Sequence, residues 1–375
     1  MKKIAVIGGG AAGMACAVFL ARKGCTVTVL ERGERLGRKL AATGNGQGNV
    51  TNTDMDASHY FSDDLKKVEQ ILSRFGDRDT VRFLESMGGI FLPDSRGRVY
   101  PAGRQASAIV DLFRFELERL NVDILFNTQV RKIAFERDFT LEWEGGHMHA
   151  DAVVLAAGGA AAPNFGTDGT AYALVQPFGH LPRDLEPSLV RLKCDKDIAK
   201  RLHGIRIDSA LTLQRGGKTV FETRGDTLFT DSGISGDAVF RASAYARKGD
   251  TVILDFLPDA TQERVQKVVT QKGLYCVVNN GLSRVLAMLA KGDKQKLASL
   301  VKAFPLKIEG KEGFQSAQVT KGGIRLKEMD ENLMSSFQNG LYFAGEICNV
   351  DGECGGYNLQ WAFASAYMVS EGICS

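Results

Sequence analysis

The stretch Gly8-Gly9-Gly10-Ala11-Ala12-Gly13 stands between a short apolar run, Lys3-Ile4-Ala5-Val6-Ile7, and the segment Met14 to Arg22, which predicts a helix. Gly24 closes that helix, and Thr26 to Leu30 predicts a second strand, so the first 30 residues make one βαβ unit. Each spaced glycine has a steric reason there. Gly8 permits the tight turn, Gly10 lets backbone approach a pyrophosphate, and Gly13 lets the helix pack closely on the sheet. The helix start at Ala11 and Ala12 offers free N–H groups and the positive end of a dipole to phosphates. Glu31, with Arg32 beside it, ends the second strand, where a carboxylate accepts ribose hydroxyls. A strand feeding a glycine turn also explains the apolar N-terminus better than a leader peptide does. This motif predicts a dinucleotide site, but NAD and FAD share the ADP half and the motif does not choose between them.

Length and composition exclude several classes. A chain of 375 residues is too long for one compact core and implies two domains or three. The formal charge of +3, with no run of five basic residues, argues against a nucleic-acid partner. The seven cysteines are odd in number and form no CxxC pair, which fits reduced thiols and a cytoplasmic location. No run of ~18 apolar residues occurs, so no membrane span is expected. No metal-ligand cluster, no Ser-His-Asp set and no second GxGxxG stands out, so no metal is expected and no catalytic residue is named.

The remaining chain reads in blocks. Residues 34–53 are rich in Gly, Asn and Thr and predict an irregular loop, with Thr43, Gly44 and Asn49 in its most glycine-rich part. Two helical patterns cover 63–88, a hairpin joins 90–92 to 98–100, a helix covers 105–120 and a strand 122–126. Residues 130–155 alternate as three strands ending in Ala156-Ala157-Gly158-Gly159. Residues 188–257 are β-like, 261–304 helical, 316–325 β-like, 340–344 a strand and 357–371 a helix.

The chain end separates FAD from NAD. Gly340-Leu341-Tyr342-Phe343-Ala344-Gly345-Glu346 resembles the late strand of glutathione-reductase-type flavoproteins, where an acid holds the ribityl chain of FAD. Asp is common there; Glu346 is one methylene longer, and Asp351 is a second candidate. Gly355-Gly356-Tyr357-Asn358-Leu359-Gln360-Trp361 opens the last helix. The resemblance turns its N-terminus, at Gly356, Asn358 and Leu359, to the pyrimidine edge of the flavin, where it stabilises negative charge on the reduced form. Ala157-Gly158 resembles the strand-end turn near the nucleotide in these proteins. Val130 sits where related proteins give adenine backbone contacts, or is a plain core valine.

Nearly the whole chain resembles one bacterial NAD(P)/FAD-dependent oxidoreductase family, which includes the BaiN-like flavoproteins of bile-acid operons and aminoacetone oxidase-like enzymes. Its most specific stretches are Arg35 to Leu40, Thr43 to Asn52, Phe229-Thr230 with Gly233 to Gly236, Ala317 to Thr320, and Asp351 to Trp361. Two departures fall where a substrate would be chosen. The family loop Gly-Gly-Arg-Cys-Asn is Gly46-Gln47-Gly48-Asn49 here, and the family His-Tyr is replaced by Asp231-Ser232.

The resemblance implies an α/β fold: a glutathione-reductase-type FAD-binding Rossmann domain, discontinuous over 1–188 and 322–375. A substrate domain is inserted at 189–321, β-rich over 189–257 and helical over 258–305. It implies FAD as cofactor and hydride transfer at flavin N5 with a small-molecule substrate. The reaction is either amine oxidation or NAD(P)H-linked reduction of a conjugated double bond, with NADH or NADPH docking transiently. A non-catalytic redox sensor or an RNA-modification-associated flavoprotein is the alternative. Arg38 and Lys39, before the glycine loop, meet the pyrophosphate or are solvated. Cys354 lies by the flavin or simply packs. His203 is an acid–base group or a surface histidine. Related proteins place the hairpin that carries Tyr100 and Arg104 near the substrate cavity, where Arg104 holds an anionic substrate or pairs with a surface carboxylate.

Overall fold

Five short, largely apolar runs dictate the first core. In the computed structural model, which describes residues 1–375, Lys3–Ile7 (β1) is the central strand of a five-stranded parallel sheet. Its order is Leu341–Phe343, Ala152–Leu155, β1, Thr26–Leu30 (β2), Asp123–Leu125. Ile4 faces Val27 on one side and Ala152 on the other. Four of the five β1 residues are buried, as expected for a parallel sheet covered on both faces. The helix Ala11–Arg22 (α1) packs against the C-terminal helix Tyr357–Cys374, and twelve of that helix's residues are buried. From β1 the chain builds outward through β2 to Asp123–Leu125 on one side, and later through Ala152–Leu155 to Leu341–Phe343 on the other. That makes a switch point, and in such sheets ligands bind in the crevice beyond the carboxyl ends of the strands.

The region 130–155 holds four strands rather than the three expected: Val130–Phe135, Phe139–Trp143, Gly146–Ala150 and Ala152–Leu155. The first three form an antiparallel sheet and only the fourth joins the parallel one. Glu144-Gly145, with Gly145 at φ +86°, reverses the chain so tightly that the alternation runs on through the turn. The expected loop at 34–53 also contains one helical turn, Arg38–Ala41, and a two-residue strand, Thr51–Asn52.

The chain divides into two compact units, 1–186 with 319–375, and 187–318. The sequence reading set these boundaries at 188/189 and 321/322. The second unit is a closed six-stranded antiparallel barrel around Leu213, Val252, Leu254 and Phe304, all fully buried or nearly so. Its last two strands, Thr251–Asp255 and Phe304–Lys311, are joined by the helices Gln262–Lys272, Asn280–Ala290 and Lys294–Lys302. Thr261, Asn279 and Asp293 cap these helices through their side-chain oxygens, which satisfies N–H groups the helices cannot bond internally.

Two buried polar networks hold the first unit. Gln360 is fully buried in the C-terminal helix. Its Oε1 accepts from the hydroxyls of Thr51 and Thr80 at 2.7 Å each, and its Nε2 donates to the Phe75 carbonyl at 2.8 Å. Gln360→Leu strands three buried polar groups and should destabilise the first unit by roughly 2–4 kcal/mol, read as an early transition in urea unfolding. His180 is fully buried between Glu328, 2.9 Å from Nδ1, and Ser335, 2.7 Å from Nε2. Burial lowers the His180 pKa, and Glu328 only partly opposes it. The folded state therefore resists protonation. The contribution of His180 is full above the ordinary imidazole pKa of about 6.5 and is lost as the pH falls below it. Thermal unfolding followed from pH about 7.5 to about 5.5 should drop more for the native chain than for His180→Gln.

Candidate dinucleotide site

At the end of β1 the backbone leaves no room for side chains. A Cβ on Gly13 would lie 1.8 Å from the Gly8 carbonyl oxygen, and one on Gly8 would lie 2.8 Å from Ala157 Cα. The turn after β1 therefore abuts the turn after Ala152–Leu155, where Gly158 has φ +76°. Gly10 differs. A Cβ there would meet nothing within 4 Å, and its φ of −80° suits any residue. Gly13 is demanded by packing, whereas the space over Gly10 lies open at the start of α1.

Glu31 follows β2, and its two carboxylate oxygens accept from Gly9 N–H and Gly33 N–H at 2.7 Å each. A carboxylate has about four acceptor sites, so two remain for ribose hydroxyls. Arg32 pairs with Asp168 at 3.0 Å. Burial would raise the Asp168 pKa, but hydrogen bonds from Arg32 and Thr170 outweigh it and hold the group at about 2. Arg38 donates to the Asn164 carbonyl at 2.8 Å. Lys39 turns to Glu346 at 2.6 Å, with Ala161 O at 3.3 Å, so the structure pairs two residues that the sequence reading had assigned to separate parts of a cofactor. Glu346 also accepts from Thr320 N–H at 2.9 Å. Val130 is a buried strand residue whose register with Trp143 ends at a bulge.

The C-terminal helix begins at Gly356, which takes φ +104°. Its first helical bond runs from Gln360 N–H to Gly356 O, so the N–H groups of Asn358 and Leu359 point out of its N-terminus. Asn358 does not present its side chain. Its amide bonds both N–H and C=O of Gly352, at 2.9 and 2.8 Å, and so shapes the preceding turn. Gly345 sits against the start of α1, where its Cβ would lie 2.7 Å from Ala12 Cβ. Asp351 is buried in the strand Val350–Gly352, which pairs with Tyr60–Ser62. Thr43 caps its own turn by donating to Leu40 O at 2.7 Å, and Gly44 takes φ +58°.

Two buried polar atoms lack partners here: Asn49 Oδ1, 2.9 Å from where a Gly356 Cβ would lie, and Tyr172 Oη, within electrostatic reach of Glu346. Such a group costs ~1–3 kcal/mol unless something completes it. One lies at the glycine loop and helix N-terminus, the other beside the acid after the last strand of the sheet. The residues thus fit a dinucleotide whose second half is polar. Tyr172 and His59 were missed by sequence reasoning. His59 stacks on Tyr357 with ring centres 4.4 Å apart, and its nitrogens lie 3.2 Å from Glu353 and 3.4 Å from Asp54. Neither residue stands in a motif. Cys348 packs fully buried, and burial pushes its thiol well above the usual range. In the second unit His203 is exposed and pairs with Asp231 at 3.1 Å.

Residues 2–372 match the HI0933-like protein Rossmann domain family. The chain belongs to the HI0933-like family. This HI0933-like chain is 34% identical to the 3-dehydro-bile acid delta(4,6)-reductase of Clostridium scindens, with 98% of each chain covered. It is 29% identical to the ribosomal RNA dihydrouridine synthase of Escherichia coli, covering 98% of this chain and 97% of the relative. Its fold is that of the 3-ketosteroid-delta4-(5alpha)-dehydrogenase of Rhodococcus jostii. That match has a TM-score of 0.56 and 18% identity, covering 100% of this chain and 97% of the other. The 3-ketosteroid delta1-dehydrogenase of Sterolibacterium denitrificans shares it, with a TM-score of 0.57 and 13% identity over the whole of both chains. The HI0933-like chain is an oxidoreductase of mixed α/β fold. No helix in it is long and apolar enough to cross a membrane.

The contrast between Gly10 and Gly13 predicts opposite phenotypes. Gly10→Val should fold within about 1 kcal/mol of the native chain, as an N-cap change does, yet lose bound dinucleotide, measured as absorbance per purified chain. Gly13→Val should lose the fold itself, seen as aggregation or an early thermal transition.

Proposed function

We propose that this chain is an FAD-dependent reductase that saturates a carbon–carbon double bond conjugated to a carbonyl. The observation that carries the flavin reading is the N-terminus of the 18-residue C-terminal helix. It opens beside the buried, unpartnered Asn49 Oδ1, in the same unit as the Gly8–Gly13 turn. FAD, once bound, supplies the hydride at N5 and is recharged by NADH or NADPH. Gly8, Gly10, Ala11, Ala12 and Gly13 receive the pyrophosphate, and Glu31 the ribose. Ala157, Gly158 and Val130 border the nucleotide half. Glu346 and Tyr172 meet the ribityl hydroxyls. Asn49, Asn358 and Leu359 offer an acceptor and two N–H donors to the ring, and the helix dipole favours a reduced, anionic ring there.

The reaction type follows from chemistry common to the relatives. One name describes reduction of the delta(4,6) double bonds of a 3-oxo bile acid, the other formation of dihydrouridine from a uracil ring. Each acceptor is an alkene conjugated to a carbonyl, and each takes up a hydride and a proton. We assign delivery of the proton to His59, which is partly exposed at the first residue of the C-terminal helix and bridged to Glu353.

Anaerobic titration tests the reading. The yellow holoprotein is reduced by light, then mixed with a steroid 4,6-dien-3-one, with a uridine-containing rRNA fragment, or with buffer. Return of colour with either conjugated acceptor, and a product richer by two hydrogens, is the expected result. Failure of both acceptors would sink the proposal. So would bleaching of the oxidised protein by a small amine, with peroxide formed on aeration. His59→Gln should keep its flavin and slow reoxidation by about 100-fold, the usual scale of a lost general acid.

A further inference from the structure

We infer that Arg104 is the anchor for a carboxylate on the substrate, and that the substrate is an amphipathic acid whose apolar body lies over Leu92 and Ile90. The class of ligand rests on the reading proposed above; the anchor rests on geometry alone.

Arg104 has φ +50°, a left-handed conformation that costs energy for a residue with a Cβ. That backbone carries its guanidinium over the ring of Tyr100, 4.1 Å from the centroid. Its one polar side-chain contact is with Gln47 Oε1, a neutral acceptor at 3.3 Å. No carboxylate lies within ion-pair distance. The nearest acid of the hairpin, Asp94, is held by Arg98 at 2.7 and 2.9 Å. So the hairpin exposes a cation fixed on an aromatic face, with Nη1 on Gln47 and the Nε–Nη2 edge of its fork free of any protein acceptor. An arginine stacked in this way keeps its in-plane N–H groups free for a planar, bidentate acceptor.

The surroundings are apolar. Leu92 pairs directly across from Tyr100, so the two side chains leave the hairpin on one face. Leu92 is 55% exposed and Ile90 is 65% exposed, and the Ile90 carbonyl accepts from Ala102 N–H at 2.9 Å, which keeps this edge next to the Arg104 turn. Two large exposed aliphatic residues beside a cation that no carboxylate neutralises suit a molecule with an apolar body and an anionic end. They do not suit a nucleic-acid backbone, which needs a track of cations.

The patch adjoins the ring end of the dinucleotide site. Tyr100 Cε1 lies 3.7 Å from where a Gly44 Cβ would be, and that same Cβ would lie 3.1 Å from Asn49 N. Gln47, which accepts from Arg104, belongs to the same loop as Asn49, whose Oδ1 lies 2.9 Å from where a Gly356 Cβ would be at the start of the C-terminal helix.

The test is equilibrium binding to the oxidised holoprotein by calorimetry, which needs no turnover. A saturated steroid carboxylic acid is compared with its methyl ester and with uridine 5′-monophosphate. The native chain should bind the acid ~10- to 100-fold more tightly than the ester, the usual scale of a charge-assisted pair. In Arg104→Ala that ratio should fall to about one, and Arg104→Lys, which keeps charge without the fork, should lie between. Flavin content and thermal midpoint of each variant establish that it is folded. Equal binding of acid and ester by the native chain overturns the inference, as does a ratio unmoved by Arg104→Ala. Arg104-dependent binding of the nucleotide alone overturns the carboxylate assignment. If the acid binds as expected but no conjugated acceptor is reduced, the anchor stands and the reductase proposal falls.

Discussion

The Gly8 carbonyl oxygen occupies the place that a side chain at residue 13 would need. That one contact sets how closely α1 approaches the sheet, and therefore where its N-terminal N–H groups lie beyond β1. The turn after Ala152–Leu155 is fitted to the same surface, since Ala156 and Ala157 fill the space beside Gly8. Two crossings of the sheet thus meet over a backbone-lined shelf. Gly10 belongs to the same sequence pattern but answers to a different constraint, because the space it leaves faces outward.

The C-terminal helix completes the site through contacts along its first two turns. Asn358 shapes the turn before it, Gln360 ties it to Thr51, Thr80 and Phe75, and the Trp361 indole donates to Gly345 O at 3.1 Å. Ser365, one turn on, receives the Gly345 N–H at 2.9 Å. Gly345, which precedes Glu346, is therefore bonded through both N–H and C=O to one helix. The helix carries its N-terminus and the Glu346 turn as one body, so the ring end and the ribityl end of a bound cofactor would be positioned by a single element.

Much of this was legible in the sequence because it is local. A glycine turn between a strand and a helix, an acid at a strand end and a double glycine opening a helix all declare themselves within a few residues. Five barrel strands fall in the block read as β-like, but the sixth, Phe304–Lys311, was not read as a strand, and closure depends on its pairing with Leu192–Cys194 across more than a hundred residues. Long-range partners were hidden for the same reason. Lys39 finds Glu346, and His59 finds Glu353, some 300 positions away. Cys25 and Cys374 bring their sulfurs to 3.5 Å although no spacing rule links them. Asn358 looked like a ligand because it opens a helix; its amide instead fastens the backbone that presents the helix.

The cations near the site follow one logic. Arg32 is matched by Asp168, Lys39 by Glu346, Arg98 by Asp94, and Arg38 by a carbonyl of the loop that holds Asp168. Charges drawn into partly buried positions are matched because an unmatched one is costly there. Arg104 escapes the rule because it stands exposed on the hairpin and leans on a ring rather than an acid. Residue 47 bears on this directly. A second guanidinium at position 47 would face Arg104 across 3.3 Å and repel it, whereas Gln47 accepts its hydrogen bond without neutralising it. The departure of this loop from its family pattern therefore has a physical consequence: it leaves one cation oriented on Tyr100 and unneutralised beside the glycine loop.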